Sequence, residues 1–291
     1  MAWTQVKPRA TWEELRDRLN EVAKCDQLSC RGQAKDFGEG ALYSSLDRVF
    51  RSTKVSGKTA IAIERIAIQR FLQQAPNYLS VAEQTLLDEG PSLLMLMRHY
   101  GGPTRLLDWT ESLWIALFNA CDGCWDSDGV IWAFRRDEFD KVVMKKYSNE
   151  VPFALQSRGL SAAPVLPAVT VLELSPWVCR LFPVGPRIPR LIAQQGAFTI
   201  GSQLGMDHAK FIDEVLPETP TQKWKIVVSK DVKRHALKEL AKMGITASAH
   251  FPGVDGVGKY LETFTHFAHL DQGVKTAAAS GWGELNGPPS P

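Results

Sequence analysis

The chain has 291 residues, 44% hydrophobic and 23% charged, with a formal net charge of +2. That suits one large domain or two small ones with the composition of a soluble globular protein, and it leaves any nucleic-acid contact to a local patch. No apolar run reaches about 18 residues, which excludes a membrane-spanning helix, and Met1–Gln5 lacks the charged-then-apolar pattern of a secretory leader, so none is expected.

Thr11 and Glu14 form a capping-box pattern ahead of a helix to about Lys24, with Trp12, Leu15, Leu19 and Val22 on one face. Gln27–Ala34 reads as a short strand, and Leu42, Leu46, Val49 and Phe50 mark a helical turn within Ala41–Arg51. Thr59–Gln74 is a strong helix, expected to bury Ile61, Ile63, Ile66, Ile68, Phe71 and Leu72. Gly90-Pro91 divides Ser80–His99 into two helices, the second packed through Leu93, Leu94, Leu96 and Met97. A helix is expected over Leu113–Cys121. The run Asp128–Phe134 is nearly all apolar, so it is placed centrally in a sheet.

Pro152–Pro167 reads as a loop, and Val169–Leu174, Ala197–Ile200 and Trp224–Val228 as strands. Asp231 is taken to cap a helix through Lys242 that Gly244 stops. Ile245–Phe251 reads as extended. Val257–His269 reads as the last helix, with Tyr260, Leu261, Phe264 and Phe267 inward, and residues 271–291 as a flexible tail. Helices come first and strands mixed with helices follow, which is an α+β order, with 1–270 a single domain.

Five irregularly spaced cysteines suit the reduced thiols of a cytosol, so a cytoplasmic location is expected. Cys121 and Cys124 form a lone C-x-x-C without a second ligand pair and are read as ordinary thiols at a helix end. No metal site is expected. His266 and His269 are read as packing or surface residues, and no Walker A, G-x-G-x-x-G, H-E-x-x-H or G-x-S-x-G pattern occurs.

The densest chemistry lies in Met97–Thr110, which joins His99, Tyr100, Arg98, Arg105, Asp108, Thr104 and Thr110 to a glycine-proline turn. Together with Cys30-Arg31-Gly32-Gln33, Leu46 to Arg51 and Arg190–Thr199, this run resembles the FRG domain over roughly residues 11–270, with Cys30 in place of the usual aromatic. A second resemblance is to ADP-ribosyltransferases. Arg31-Gly32 looks like their Arg-Gly strand, Thr104–Ala120 like their Ser/Thr-rich strand and helix, and Gln194–Phe198 falls where their glutamate strand would be. It implies a split mixed sheet around a cleft, a helical N-terminal portion and NAD as substrate.

Under that resemblance Arg31, Thr104, Asp108 and Gln195 are the catalytic candidates, and Gly32, His99, Tyr100, Arg105, Trp109, Thr110 and Gln194 join Arg31 and Thr104 in binding NAD. Each residue also has a structural reading. Arg31 either grips a diphosphate, with Gly32 admitting it closely, or pairs with Asp36. Asp108 either acts in catalysis or forms a buried pair with Arg105. Thr110 either meets a ribose or, like Asp108, caps the next helix. His99 and Tyr100 either face ligand or form a satisfied pair. Gln195 can bind a hydroxyl but brings no negative charge.

The implied function is an ADP-ribosyltransferase-like intracellular toxin or phage-defence effector. Its acceptor would be RNA or protein, and an antitoxin protein would be its partner. The alternative is a non-catalytic interaction module of related fold. A weaker third reading is RNA processing through His99 and Arg105.

Overall fold

Along Gly129–Arg135 every residue but the last is buried, so this strand must have both faces covered. A computed structural model describes residues 3–88, 90–147, 176–181, 188–216, 221–270 and 272–279 and places that strand, β4, inside a seven-stranded sheet. The other strands are β1 (Thr4–Val6), β2 (Leu28–Gln33), β3 (Leu106–Thr110), β5 (Val178–Leu181), β6 (Gly196–Gly201) and β7 (Lys223–Val228). Their order is β1-β7-β4-β2-β3-β6-β5. β1 lies parallel to β7, and every other pairing is antiparallel. The architecture is α+β, as expected. All seven strands belong to one mixed sheet, in which β2 and β3 meet only at Cys30 and Thr110, whereas β2 pairs with β4, and β3 with β6, along their whole length, so that the sheet parts between β2 and β3.

The helices in the first half are α1 (Trp12–Ala23), α2 (Ser45–Thr53), α3 (Gly57–Gln74), α4 (Val81–Gln84), α5 (Gly90–His99), α6 (Leu113–Cys121) and α7 (Arg136–Tyr147). Those after β5 are α8 (Pro189–Ala193), α9 (His208–Val215), α10 (Lys230–Lys242), α11 (Ala247–His250), α12 (Val254–Phe267) and α13 (Gln272–Ala279). Side chains alternate across each strand. Ile131, Ala133 and Ile226 therefore meet Leu15, Leu19, Leu117, Phe118 and Leu237 on one face. Val130, Trp132 and Phe134 meet Leu94, Phe139, Phe198 and Ile212 on the other. No helix among the described residues is long and apolar enough to cross a membrane.

Several expectations change. The face of α3 turned inward carries Ala60, Glu64 and Ile68, while Ile63 and Ile66 are exposed, because buried Glu64 must meet Arg105. Ser229, not Asp231, caps α10 by accepting from the Asp231 amide. Residues 247–250 form a helical turn rather than extended chain, since Thr246 caps it through Ala249 N. The final apolar side is narrower than expected, with Phe267 buried and Leu261 exposed. Gln272–Ala279 is helical within the segment expected to be a flexible tail. The expected strand over Val169–Leu174 and the loop over 152–167 lie outside the described residues.

The C-x-x-C turn is held by Lys233, whose ammonium donates to the carbonyls of Ala34 (2.6 Å), Gly123 (3.1 Å) and Cys124 (3.1 Å). Burial pushes the Cys121 thiol up to about 12, so it stays protonated at neutral pH.

Candidate functional site

Arg31 sits one residue beyond the pair that joins β2 to β3, where the two backbones separate. Its side chain bridges the parting. Nη1 donates to the Asp108 carbonyl at 2.8 Å and lies 3.6 Å from the Asp108 carboxylate. Arg98, in the last turn of α5, donates to the same carboxylate from Nε (3.2 and 3.1 Å) and Nη2 (2.9 Å). One carboxylate thus serves two guanidiniums.

The wall opposite is set by backbone hydrogen bonds and close packing. Thr110 Oγ1 donates to the Gln194 carbonyl at 2.8 Å and accepts from Ser112 N at 3.1 Å. Glu111 N donates to the Gln195 carbonyl at 2.9 Å. These bonds lock the end of α8 beside the parting. Gly32 lets α6 lie on β2: a Cβ there would fall 1.8 Å from the Ala116 carbonyl oxygen. Its missing side chain makes room for a helix, not for a ligand.

The result is an open cleft of about 440 Å³, within the range of small-molecule sites. Arg31, Arg98, His99, Asp108, Asn119, Asp122, Arg190, Gln194, Phe251 and Lys259 are among the residues that line it. A recess of about 60 Å³ continues between β2 and β3, bordered by Arg31, Asp108, Thr110, Asn119 and Gln194. Arg190 stacks on Phe251 at 4.4 Å and Lys259 on the same ring at 4.2 Å, both cation–π contacts. Asp122 accepts from Thr263 Oγ1 at 2.9 Å and lies 3.6 Å from Lys259 Nζ.

The electrostatics show an excess of positive charge. Burial lowers the Arg31 pKa, and repulsion from Arg48 and Arg98 works in the same direction, against the pull of Asp108. Burial would raise Asp108, but Arg31 and Arg98 hold it below the usual carboxylate range, so it is ionised at neutral pH. Burial lowers the His99 pKa, and nearby Arg190 adds to the effect. Its imidazole is therefore neutral at pH 7, and its Nδ1 is buried without a partner among the described residues. Among the described residues no three His, Cys, Asp or Glu side chains are grouped to hold a metal ion.

The FRG domain model matches residues 27–128. That stretch of the chain is an FRG domain. No curated protein and no solved structure matches it. The matched FRG stretch supplies β2, β3 and the helices between them, hence both edges of the parting. Arg190, Gln194, Phe251 and Lys259 come from beyond that stretch and close the cleft over it.

Of the residues expected from sequence, Arg31, Gly32, His99, Asp108 and Gln194 line the cleft, and Thr110 borders the recess. Trp109 borders the recess too, but its indole is buried against Phe134 and donates to Thr199 Oγ1 at 2.9 Å. Thr104 is buried away from the cleft, bonded to Leu106 N (3.3 Å) and through its backbone to Ser45. Tyr100 is exposed and donates to Glu83 at 2.5 Å. Gln195 is exposed, with φ of 45°, and does not line the cleft; its neighbour Gln194 does. Arg105 does not pair with Asp108. It is buried against Glu64, donating from Nε at 2.7 Å and also from Nη2, while Nη1 donates to the Ser202 carbonyl at 3.1 Å. Asp36 pairs with Lys225 at 2.7 Å rather than with Arg31. Ser112, not Asp108 or Thr110, caps α6.

Sequence reasoning gave Arg98 and Arg190 no role in the site, although both stand inside the motif blocks. Asn119 had a visible signal, as the amide in the otherwise apolar Leu113–Cys121. Phe251 and Lys259 had none, because folding alone brings them to the cleft.

Proposed function

We propose that this cleft binds NAD and that the chain transfers the ADP-ribosyl group to a protein or RNA acceptor. The observation that carries this reading is the position of Arg31. It stands beside Gly32 where β2 leaves β3, and it shares one cleft with Asp108, Asn119 and Gln194. A guanidinium in such a place suits a diphosphate, and Arg98 and Arg190 extend the same seat. Gln194 and Asn119 offer amides to ribose hydroxyls or a carboxamide. In the transfer, the bond from ribose C1′ to nicotinamide breaks and nicotinamide leaves with the electron pair. The acceptor atom then bonds C1′ and gives up its proton. Asp108 is the cleft carboxylate beside Arg31 and Arg98, and its negative charge would favour the cationic ribose carbon.

One observation favours the second reading, a binding module without catalysis. Both carboxylates lining the cleft already have basic partners, and the wall beside them carries Gln194 rather than a glutamate. Nicotinamide release from NAD, and label transfer to cell extract, separate the two readings. Release is expected from the wild type and at least about a hundredfold less from a folded Arg31→Ala variant, the scale of losing one preorganised charge. Binding of NAD with no release above Arg31→Ala would leave the binding module. As a toxin or phage-defence effector with an antitoxin partner, the wild type and not Arg31→Ala should arrest growth when expressed.

A further inference from the structure

Arg98 commits Nε and Nη2 to Asp108, and Arg31 leans on the same carboxylate. Arg31 Nε is buried and has no acceptor among the described residues. Among the described residues no carboxylate lies within ion-pair distance of Arg190. Among the described residues of its lining, the cleft has four cations, Arg31, Arg98, Arg190 and Lys259, against Asp108 and Asp122. Asp122 faces Lys259, so the surplus of two positive charges falls on Arg31, Arg98 and Arg190 around Asp108. A monoanion would leave this surplus half neutralised, and a neutral nucleoside would leave it untouched. A dianionic group that spans neighbouring guanidiniums matches it in charge and in bidentate geometry.

We infer that Asp108 is an internal stand-in for a diphosphate: it holds Arg31 and Arg98 in place until a bis-anionic ligand takes Arg98 from it. This deepens the NAD reading of the cleft and rests on it for the identity of the natural ligand, but the charge argument itself concerns any diphosphate. The consequence is opposite in sign to that of a ligand-binding carboxylate. A fixed negative charge beside the seat repels the incoming anion, so removing it should tighten binding.

The probe is inorganic pyrophosphate, titrated by calorimetry with orthophosphate and adenosine as comparisons. The wild type should bind pyrophosphate more tightly than orthophosphate and should not bind adenosine. Asp108→Asn should bind pyrophosphate about tenfold more tightly, as expected for one charge removed at close range. Arg190→Gln should bind it about tenfold more weakly. If Asp108→Asn does not fold, the wild type still decides. The Arg98 Nε–Hε resonance, assigned with Arg98→Lys, should shift as pyrophosphate is added, because its acceptor changes. Weaker or unchanged binding by folded Asp108→Asn, or an Arg98 resonance that stays put at saturation, overturns the stand-in. Nicotinamide release from NAD without any pyrophosphate binding overturns it and leaves the transferase reading intact. Pyrophosphate binding as described, without NAD cleavage, leaves the stand-in and removes the transferase.

Discussion

Arg105 and Asp108 stand three residues apart in the sequence, a spacing at which helical side chains meet. In extended chain an odd spacing sends them to opposite faces, and here the chain is entering β3. Arg105 crosses to buried Glu64 on α3, while Asp108 turns into the cleft towards Arg31 and Arg98. The motif announced both residues as chemistry, but only their neighbours in space assign the jobs. Sequence could not supply Glu64, 41 residues upstream on a helix whose isoleucines looked like the buried face. Because the Arg105–Glu64 pair is almost wholly buried, removing one partner strands a charge. Arg105→Met is expected to cost about 3–5 kcal/mol, and Glu64→Gln somewhat less because its amide can still accept one bond. Urea unfolding would check this. A loss below about 1 kcal/mol for Arg105→Met would mean that the pair contributes little to the fold.

At the level of elements, the long apolar runs were legible and the short ones were not. β4 declared itself central through its unbroken burial, and β2, β6, β7 and α1 lie within a residue or two of where pattern placed them. β1 and β5 have only three and four residues, too few for a period to show, and pairing alone makes them strands. Gly32 was legible as a special position but for the wrong neighbour, since close approach by a ligand and by a helix leave the same mark in a sequence. The packing is specific: Gly32 on β2 and Gly129 on β4 each face an α6 carbonyl, at 1.8 and 2.1 Å from where a Cβ would lie. Gly32→Ala must push α6 off the sheet at the site of Asn119. We expect a loss of about 3 kcal/mol or more, at the upper end of overpacking costs. Gly129→Ala should lose a similar amount. Denaturant midpoints would show it, and a Gly32→Ala protein as stable as the wild type would return that glycine to a ligand-facing role.

The whole molecule is tied together by a buried polar chain that links two of the sequence motifs. Trp109 Nε1 on β3 donates to Thr199 Oγ1 on β6 at 2.9 Å, and Thr199 Oγ1 lies 2.7 Å from His208 Nδ1 on α9. The indole can only donate, so the threonine hydroxyl is best satisfied by donating its own hydrogen bond to an unprotonated Nδ1, which requires His208 to be neutral. Burial lowers the His208 pKa to about 3, and the positive charge of Arg31 acts in the same direction. An unfolded chain takes up that proton near pH 6.5, so between about pH 6.5 and 3 the unfolded state holds more protons than the folded one. Stability therefore rises with pH across this window and is lost on acidification, by up to about 1.4 kcal/mol per pH unit. His99 and His250, also lowered first by burial, act with the same sign, and depressed Asp108 adds its loss only below the usual carboxylate pKa. Comparison with His208→Asn, whose amide oxygen can take the place of Nδ1, isolates the one residue. Between pH 6.5 and 5 the wild type should lose about 2 kcal/mol more than the variant. Parallel losses in the two proteins would mean that His208 titrates normally and that the Trp109–Thr199–His208 chain opens before the rest of the fold.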